Sequence, residues 1–222
     1  MKYSFLLFIV FSALCSCKNK TAVATDPQQN RYYRLYNEIY NQWGKESADS
    51  TQQKLDVYLQ EFPENADAQM LAGNLAYWHA DYEKAIAHNR AAIALQPGQA
   101  VYYSALGTVY NVQDKIDSAE KYLLKAVALK DSSLYTFLNV SIVYLKKDDK
   151  EKSFAFADSA YAIGSFSPDV CSGLSFVYDR WNEETRSRQL FEHAIAVGLK
   201  DTSAFKDVLA GKLKLEDFYR KK

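Results

Sequence analysis

The feature that most constrains this chain is that it repeats itself every 34 residues. Leu106-Gly107 has Ala72-Gly73 one period before it, and Val140-Ser141 and Leu174-Ser175 at the next two steps. Tyr110, Tyr144 and Tyr178 keep the same spacing, with Ala76 in the earlier unit. Ala85, Ala119, Ser153 and Ser187 form a column of small residues; Ala92, Ala126, Ala160 and Ala194 form another; Pro63 and Pro97 are one period apart. A fixed period of this length marks units that cannot bury an apolar face alone and must stack on their neighbours.

Within a unit, apolar residues fall at helical spacing in two stretches joined by a short polar turn. In the unit of residues 100–133 they are Tyr103, Leu106 and Tyr110, then Tyr122, Leu123, Ala126 and Leu129. The unit is a helical hairpin with one apolar stripe per helix. A glycine inside a helix costs about 1 kcal/mol relative to alanine, so Gly73 and Gly107 need a packing reason. The pattern predicts a close approach to the small column Ala85, Ala119, Ser153 and Ser187, while the Ala92 column leaves room for the next hairpin. Punctuation agrees: Ser167-Pro168 and Asn65 read as helix starts, as does one of Asp131, Ser132 or Ser133, and Ser50 with Gln53 reads as a capping box.

These columns closely resemble the tetratricopeptide repeat, whose pattern is W-x2-L-G-x2-Y followed by A-x3-F, a further alanine and proline. Tyr103, Leu106, Gly107, Tyr110, Ala119, Leu123 and Ala126 carry the best match. The resemblance implies an all-α fold, an α-solenoid of stacked antiparallel helical hairpins wound into a right-handed superhelix. The array would run over 31–201, with units near 32–65 (degenerate), 66–99, 100–133, 134–167 and 168–201, and a capping helix over 202–222. Two departures leave the packing of the 66–99 unit open: Gln69 where an aromatic is usual, and Asn89 where a large apolar residue is usual.

By the same resemblance, ligand contacts come from positions two, five, nine and twelve of each first helix. Here these are Asp67, Met70, Asn74 and Tyr77, then Val101, Ser104, Thr108 and Asn111. Tyr135, Leu138, Ile142 and Leu145 follow, then Asp169, Ser172, Phe176 and Asp179. The groove they imply is apolar and aromatic with a few amides, which suits an amphipathic helix or an extended peptide. Tyr77 and Tyr135 are the expected anchors, with Asn74 and Asn111 adding directional hydrogen bonds. The basic clamp of family members that grip a terminal carboxylate is missing. Tyr33, Tyr36, Tyr40 and Trp43 extend the aromatic stripe in the degenerate unit. The alternative is that these aromatics are only core.

Ahead of the array, Lys2 and the apolar run Phe5 to Leu14 read as a signal peptide over 1–16. Leu14-Cys15-Ser16-Cys17 resembles the bacterial lipobox, which makes Cys17 the lipidated mature N-terminus and Lys18 to Asn30 a polar tether reaching on the order of 20 Å. Lys18 in place of the aspartate that favours inner-membrane retention points to the outer membrane, facing the periplasm. A secreted protein with two incidental thiols, or a metal-binding Cys-x-Cys pair, is the competing reading of Cys15 and Cys17. On the lipoprotein reading Cys171 is the one remaining thiol.

Balanced charge, 27 basic against 27 acidic residues, argues against a nucleic-acid partner, which calls for a basic face. The run from Lys146 to Lys152 mixes both signs and reads as a solvated turn. His79, His88 and His193 occupy different repeat positions without metal-ligand spacing, and Cys171 stands where the repeat puts a packing side chain. No nucleophile elbow, phosphate loop or metal motif is present, so neither catalysis, a metal nor a cofactor is expected. The reading is a lipid-anchored scaffold that holds a protein partner in the bacterial cell envelope. The alternative is a glycan-binding envelope lipoprotein whose tyrosine and tryptophan faces stack on sugars.

Overall fold

The computed structural model describes residues 48–199, with Asn37 and Glu38 ahead of them. Cys17, the tether, the stripe Tyr33, Tyr36, Tyr40 and Trp43, and the capping helix expected over 202–222 lie outside the described residues. Among residues 48–199 there are nine helices and no strand: α1 (Ala48–Glu61), α2 (Ala66–Trp78), α3 (Tyr82–Leu95), α4 (Ala100–Val112), α5 (Ile116–Ala128), α6 (Leu134–Lys146), α7 (Lys150–Gly164), α8 (Pro168–Arg180) and α9 (Glu184–Ala196). None is long and apolar enough to cross a membrane. Helices α2 with α3, α4 with α5, α6 with α7 and α8 with α9 pack as hairpins, in step with the 34-residue period. The fold is an all-α helical-repeat solenoid. Two compact units divide the chain, one holding α1 to α5 and the other α6 to α9.

All four hairpin turns are built alike. Ala80, Asp114, Asp148 and Asn182, one period apart, take left-handed backbone with φ near +60° (57, 59, 60 and 59). The amide of the next residue donates to the carbonyl five back: Asp81 to Ala76, Lys115 to Tyr110, Asp149 to Tyr144 and Glu183 to Tyr178, each at 2.9 Å. The left-handed residue itself donates to the carbonyl three back, as Ala80 does to Tyr77 at 3.0 Å. This is the Schellman closure of a helix C-terminus. The residue that completes it also starts the next helix: the Asp81 and Asp149 carboxylates accept from the amides of Lys84 and Lys152. Two residues thus end one helix and begin another, which forces the antiparallel hairpin.

Asp and Asn tolerate the left-handed region; alanine does so only at a cost of about 1–2 kcal/mol. Ala80→Gly should therefore stabilise the chain by about 0.5–1 kcal/mol once glycine's greater unfolded-state entropy is subtracted. Urea unfolding checks this, and a loss of stability would show that Ala80 is unstrained.

The helix starts at Asn65 and Ser167 are as expected, with side-chain oxygens accepting from the amides of Ala68 (3.0 Å) and Val170 (3.4 Å). Ser133 is the cap residue of α6, but Asp131 supplies the carboxylate, accepting from the Ser133 amide at 2.9 Å and the Thr136 hydroxyl at 2.6 Å. The capping box expected at Ser50 and Gln53 is not one: α1 is already helical at Ala48, so Ser50 stands inside it.

The glycine contacts also differ from expectation. A β-carbon on Gly107 would lie 2.6 Å from Leu123 Cγ, and one on Gly73 would lie 2.7 Å from Asn89 Nδ2. Each glycine thus faces the residue one helical turn beyond the small column, because a long side chain from the second helix lies across it. The small column also meets the first helix: a β-carbon on Gly73 would lie 3.2 Å from the Ala85 carbonyl oxygen. Ser141 donates to the Ser153 carbonyl at 2.8 Å and Ser175 to the Ser187 carbonyl at 2.9 Å.

Inside the hairpins a ring ladder recurs. Tyr122 stands between Tyr103 and Tyr110 at centroid distances of 6.4 and 5.5 Å, and Phe156 between Phe137 and Tyr144 at 6.2 and 5.7 Å. The 66–99 unit replaces the first rung with a hydrogen bond, His88 Nδ1 to Gln69 Oε1 at 2.8 Å, while the Gln69 amide donates to the Pro63 carbonyl. Asn89, fully buried, donates to the Ala85 carbonyl at 2.9 Å. The two departures of that unit are therefore polar versions of the same contacts. The Ala92 and Ala160 positions admit the following hairpin: Ala92 shares a core with Met70, Tyr102 and Ala105, and Ala160 with Val170 and Leu174.

Candidate partner-binding face

On any one helix, positions two, five, nine and twelve stand at i, i+3, i+7 and i+10, which is a single face. The hairpin ladder uses a different face, and the structure divides the work of these side chains unevenly.

In the unit of α1 to α5, Met70 packs against Tyr102 and Ala105 of the next first helix. Asp67 accepts a 2.6 Å hydrogen bond from the buried Tyr102 hydroxyl. Tyr77 is buried, its ring 6.1 Å from that of Tyr82; burial above all, and Tyr82 next, hold its phenol well above the ordinary range. Asn74, Ser104, Thr108 and Asn111 are all buried, and the Thr108 hydroxyl donates to the Ser104 carbonyl at 2.9 Å.

In the unit of α6 to α9, Tyr135 and Leu138 belong to the core with Val170, Leu174 and Val177. A β-carbon on Gly173 would lie 2.8 Å from Leu138 Cδ2, so α8 rests directly on that leucine. Tyr135→Ala would thus remove a core ring, unlike a surface anchor; burial raises its phenol pKa, opposed by a hydrogen bond with Ser167 and reinforced by Asp169. Ile142, Leu145 and Phe176 are partly buried. Asp169, Ser172 and Asp179 complete the face, with Ser172 donating to its own helix at the Asp169 carbonyl.

Both aspartates have carboxyl pKa values raised by burial; for Asp179 Glu184 adds to the rise and Arg180 opposes it. Asp179 also stands in the last turn of α8, where the helix dipole disfavours an anion. A carboxyl whose folded pKa exceeds its unfolded value near 3.8 favours the native state only while protonated. That advantage is full at low pH and is lost as pH rises from 3.8 through the raised folded value. Asp179→Asn should accordingly be more stable than wild type at about pH 7, and the gap should close as the pH falls towards 3.8. Thermal melts across roughly pH 3–7 check it; a variant less stable at neutral pH would contradict it.

Two structural ties, invisible in the repeat pattern, join successive hairpins within each unit. Arg90 donates to the Tyr110 hydroxyl at 2.7 Å, and the Tyr178 hydroxyl donates to Asp158 at 2.7 Å, each linking residues 20 apart. Only the constancy of the tyrosine column hinted that its hydroxyl had a use.

Cys171 is buried, its thiol directed at the Ser165 carbonyl at 3.2 Å and its pKa pushed up to about 11 by desolvation. It is a packing thiol, since a nucleophile needs its thiolate. His193 Nε2 shares the same carbonyl at 2.7 Å, His79 is exposed, and no cluster of three or more ligand side chains among the described residues could hold a metal ion.

No protein-family model matches the chain, and a search of curated proteins finds no match. Solved structures do match. The tetratricopeptide-repeat protein TTC0263 of Thermus thermophilus aligns over 81% of this chain and 97% of its own, at 15% identity and a TM-score of 0.70. PilF of Pseudomonas aeruginosa aligns over 89% of this chain and 96% of its own, at 16% identity and 0.68. YrrB, described as a TPR protein with an unusual peptide-binding site, aligns over 84% and 95%, at 15% identity and 0.57. At such identities the likeness is one of fold, and the fold is that of tetratricopeptide-repeat proteins.

Proposed function

We propose that this chain is a lipid-anchored scaffold of the bacterial cell envelope that binds a partner peptide or helix on its first-helix faces. One observation carries the reading. Asn74, Ser104, Thr108, Asn111, Ser172 and Asp179 place polar groups on the first-helix faces, off the face that the ring ladder uses. Polar groups that add little to stability are the means by which an interface discriminates between partners. The likeness in fold to a protein with a peptide-binding site agrees with a peptide as ligand. For the anchor, support comes from the sequence alone: the apolar run, Ser16 before Cys17, and a polar tether. Several acyl chains on one cysteine meet the need for more than one lipid signal in stable attachment. Outer-membrane attachment facing the periplasm follows from Lys18 after Cys17.

The test is photo-cross-linking in living cells. A benzoylphenylalanine in place of Val101 or Phe176, one on each unit's first-helix face, should give a discrete protein adduct. The same residue at the exposed Phe166, between α7 and α8, should give none. Adducts from Phe166 alone would move recognition to another surface, and no protein adduct from either face would overturn the scaffold.

A further inference from the structure

Resting on that reading, we infer that the α8 face recognises a cationic amphipathic segment, one with a lysine or arginine on each side of an apolar residue. All the first-helix face positions together hold Asp67, Asp169 and Asp179 and not a single lysine or arginine, although the chain as a whole is neutral. Asp67 is occupied by the Tyr102 hydroxyl.

On α8 the two remaining carboxylates bracket Ser172 and Phe176. They stand ten residues apart on one stripe, a separation of ~15 Å along the helix. The partly buried Ile142 and Leu145 of α6 adjoin that core. The face therefore reads acid, hydroxyl, phenyl, acid, beside an aliphatic strip.

Three other carboxylates of this unit show what structural employment looks like. Asp149 holds Lys152 at 2.9 Å, Glu183 holds Lys150 at 2.9 Å, and Asp158 takes the Tyr178 hydroxyl with Arg186 at 3.9 Å. Asp169 and Asp179 have no cation within ion-pair distance among the described residues. Asp169, in the first turn of α8, is at least favoured by the helix dipole; Asp179, in the last, is opposed by it. A partner's cations would answer both. Two such charges ~15 Å apart correspond to about ten residues of a helix, or roughly four to five of an extended strand at ~3.3 Å each. An acidic peptide or an anionic membrane would be repelled by the same pair.

The experiment is a display selection of random twelve-residue peptides against the full-length protein in detergent. It is followed by binding titrations of the enriched peptides to wild type and to the Asp169→Asn, Asp179→Asn double variant. Enriched peptides should carry lysine or arginine flanking an apolar residue, bind less tightly as salt rises, and lose at least about tenfold in affinity for the double variant. Because Asp179→Asn should raise stability at neutral pH, a melting temperature no lower than that of wild type separates that loss from unfolding. Enrichment of neutral or acidic peptides, or equal affinity for the variant, would overturn this inference and leave the peptide-binding reading standing. No enrichment against wild type would overturn both.

Discussion

Gly107→Leu should destabilise the chain by at least the upper end of the ~1–3 kcal/mol that overpacking costs. A β-carbon at that position would already lie 2.6 Å from Leu123 Cγ and 3.0 Å from the Leu123 backbone nitrogen. A side chain can rotate away from such a contact; a backbone nitrogen cannot move unless α5 moves. Since each hairpin is stabilised through its neighbours, the displacement would also weaken the packing of α4 on α3 of the preceding hairpin. Gly98 gives the contrast, because a β-carbon there would meet nothing within 4 Å. Gly98→Ala should therefore change stability by no more than about 0.5 kcal/mol. Combining Gly107→Leu with Leu123→Ala should cost less than the sum of the two single changes, as expected for residues in contact. Additive losses would mean that the glycine serves some purpose other than close approach.

The hairpin fold was legible because its columns are set by steric exclusion. A glycine in mid-helix, an alanine between hairpins and a tyrosine in register each admit few substitutes, so the period survives in the sequence. The partner residue was harder to read. Gly107 faces Leu123 instead of Ala119 because the direction of a side chain along a helix shifts the contact by a turn, which residue spacing alone does not show. Gln69 reads as a departure because the pattern describes a ring there, whereas its hydrogen bond with His88 occupies the same gap.

The face was legible only as a set of positions. Met70 and Leu138 are used in packing by the next first helix, and Tyr135 in a core. That division depends on which neighbour lies alongside, so spacing could not foretell it. Asp169 and Asp179 gained significance once the structure showed Asp149, Asp158 and Glu183 of their unit engaged with cations or a hydroxyl.

The second large effect concerns the anchor. Cys17→Ala should abolish fatty-acid labelling and leave the precursor unprocessed, an all-or-none change visible on a gel. Cys15→Ala should be labelled and matured normally, because on the proposed reading Cys15 leaves with the signal peptide. The asymmetry is the informative part. Ser16 offers a small residue before Cys17, whereas Leu14 puts a bulky one before Cys15. A metal-binding or disulfide-forming pair would respond to either substitution, and a merely secreted protein to neither. Label persisting in Cys17→Ala would transfer the anchor elsewhere and remove the basis for an envelope location.

That the first-helix faces serve recognition while the ladders serve stability is tested most directly by separating the two in one variant. Asn74→Leu with Thr108→Val exchanges two buried polar side chains for apolar ones of similar size on the face that holds Val101. The measurement is the yield of protein adduct from benzoylphenylalanine at Val101, taken alongside the melting temperature. The account predicts a melting temperature at or above wild type and an adduct yield lower by about tenfold or more, since two directional groups worth about 0.5–1.5 kcal/mol each are lost. A lower melting temperature with an undiminished yield would show that these residues hold the fold together and that the partner is bound elsewhere.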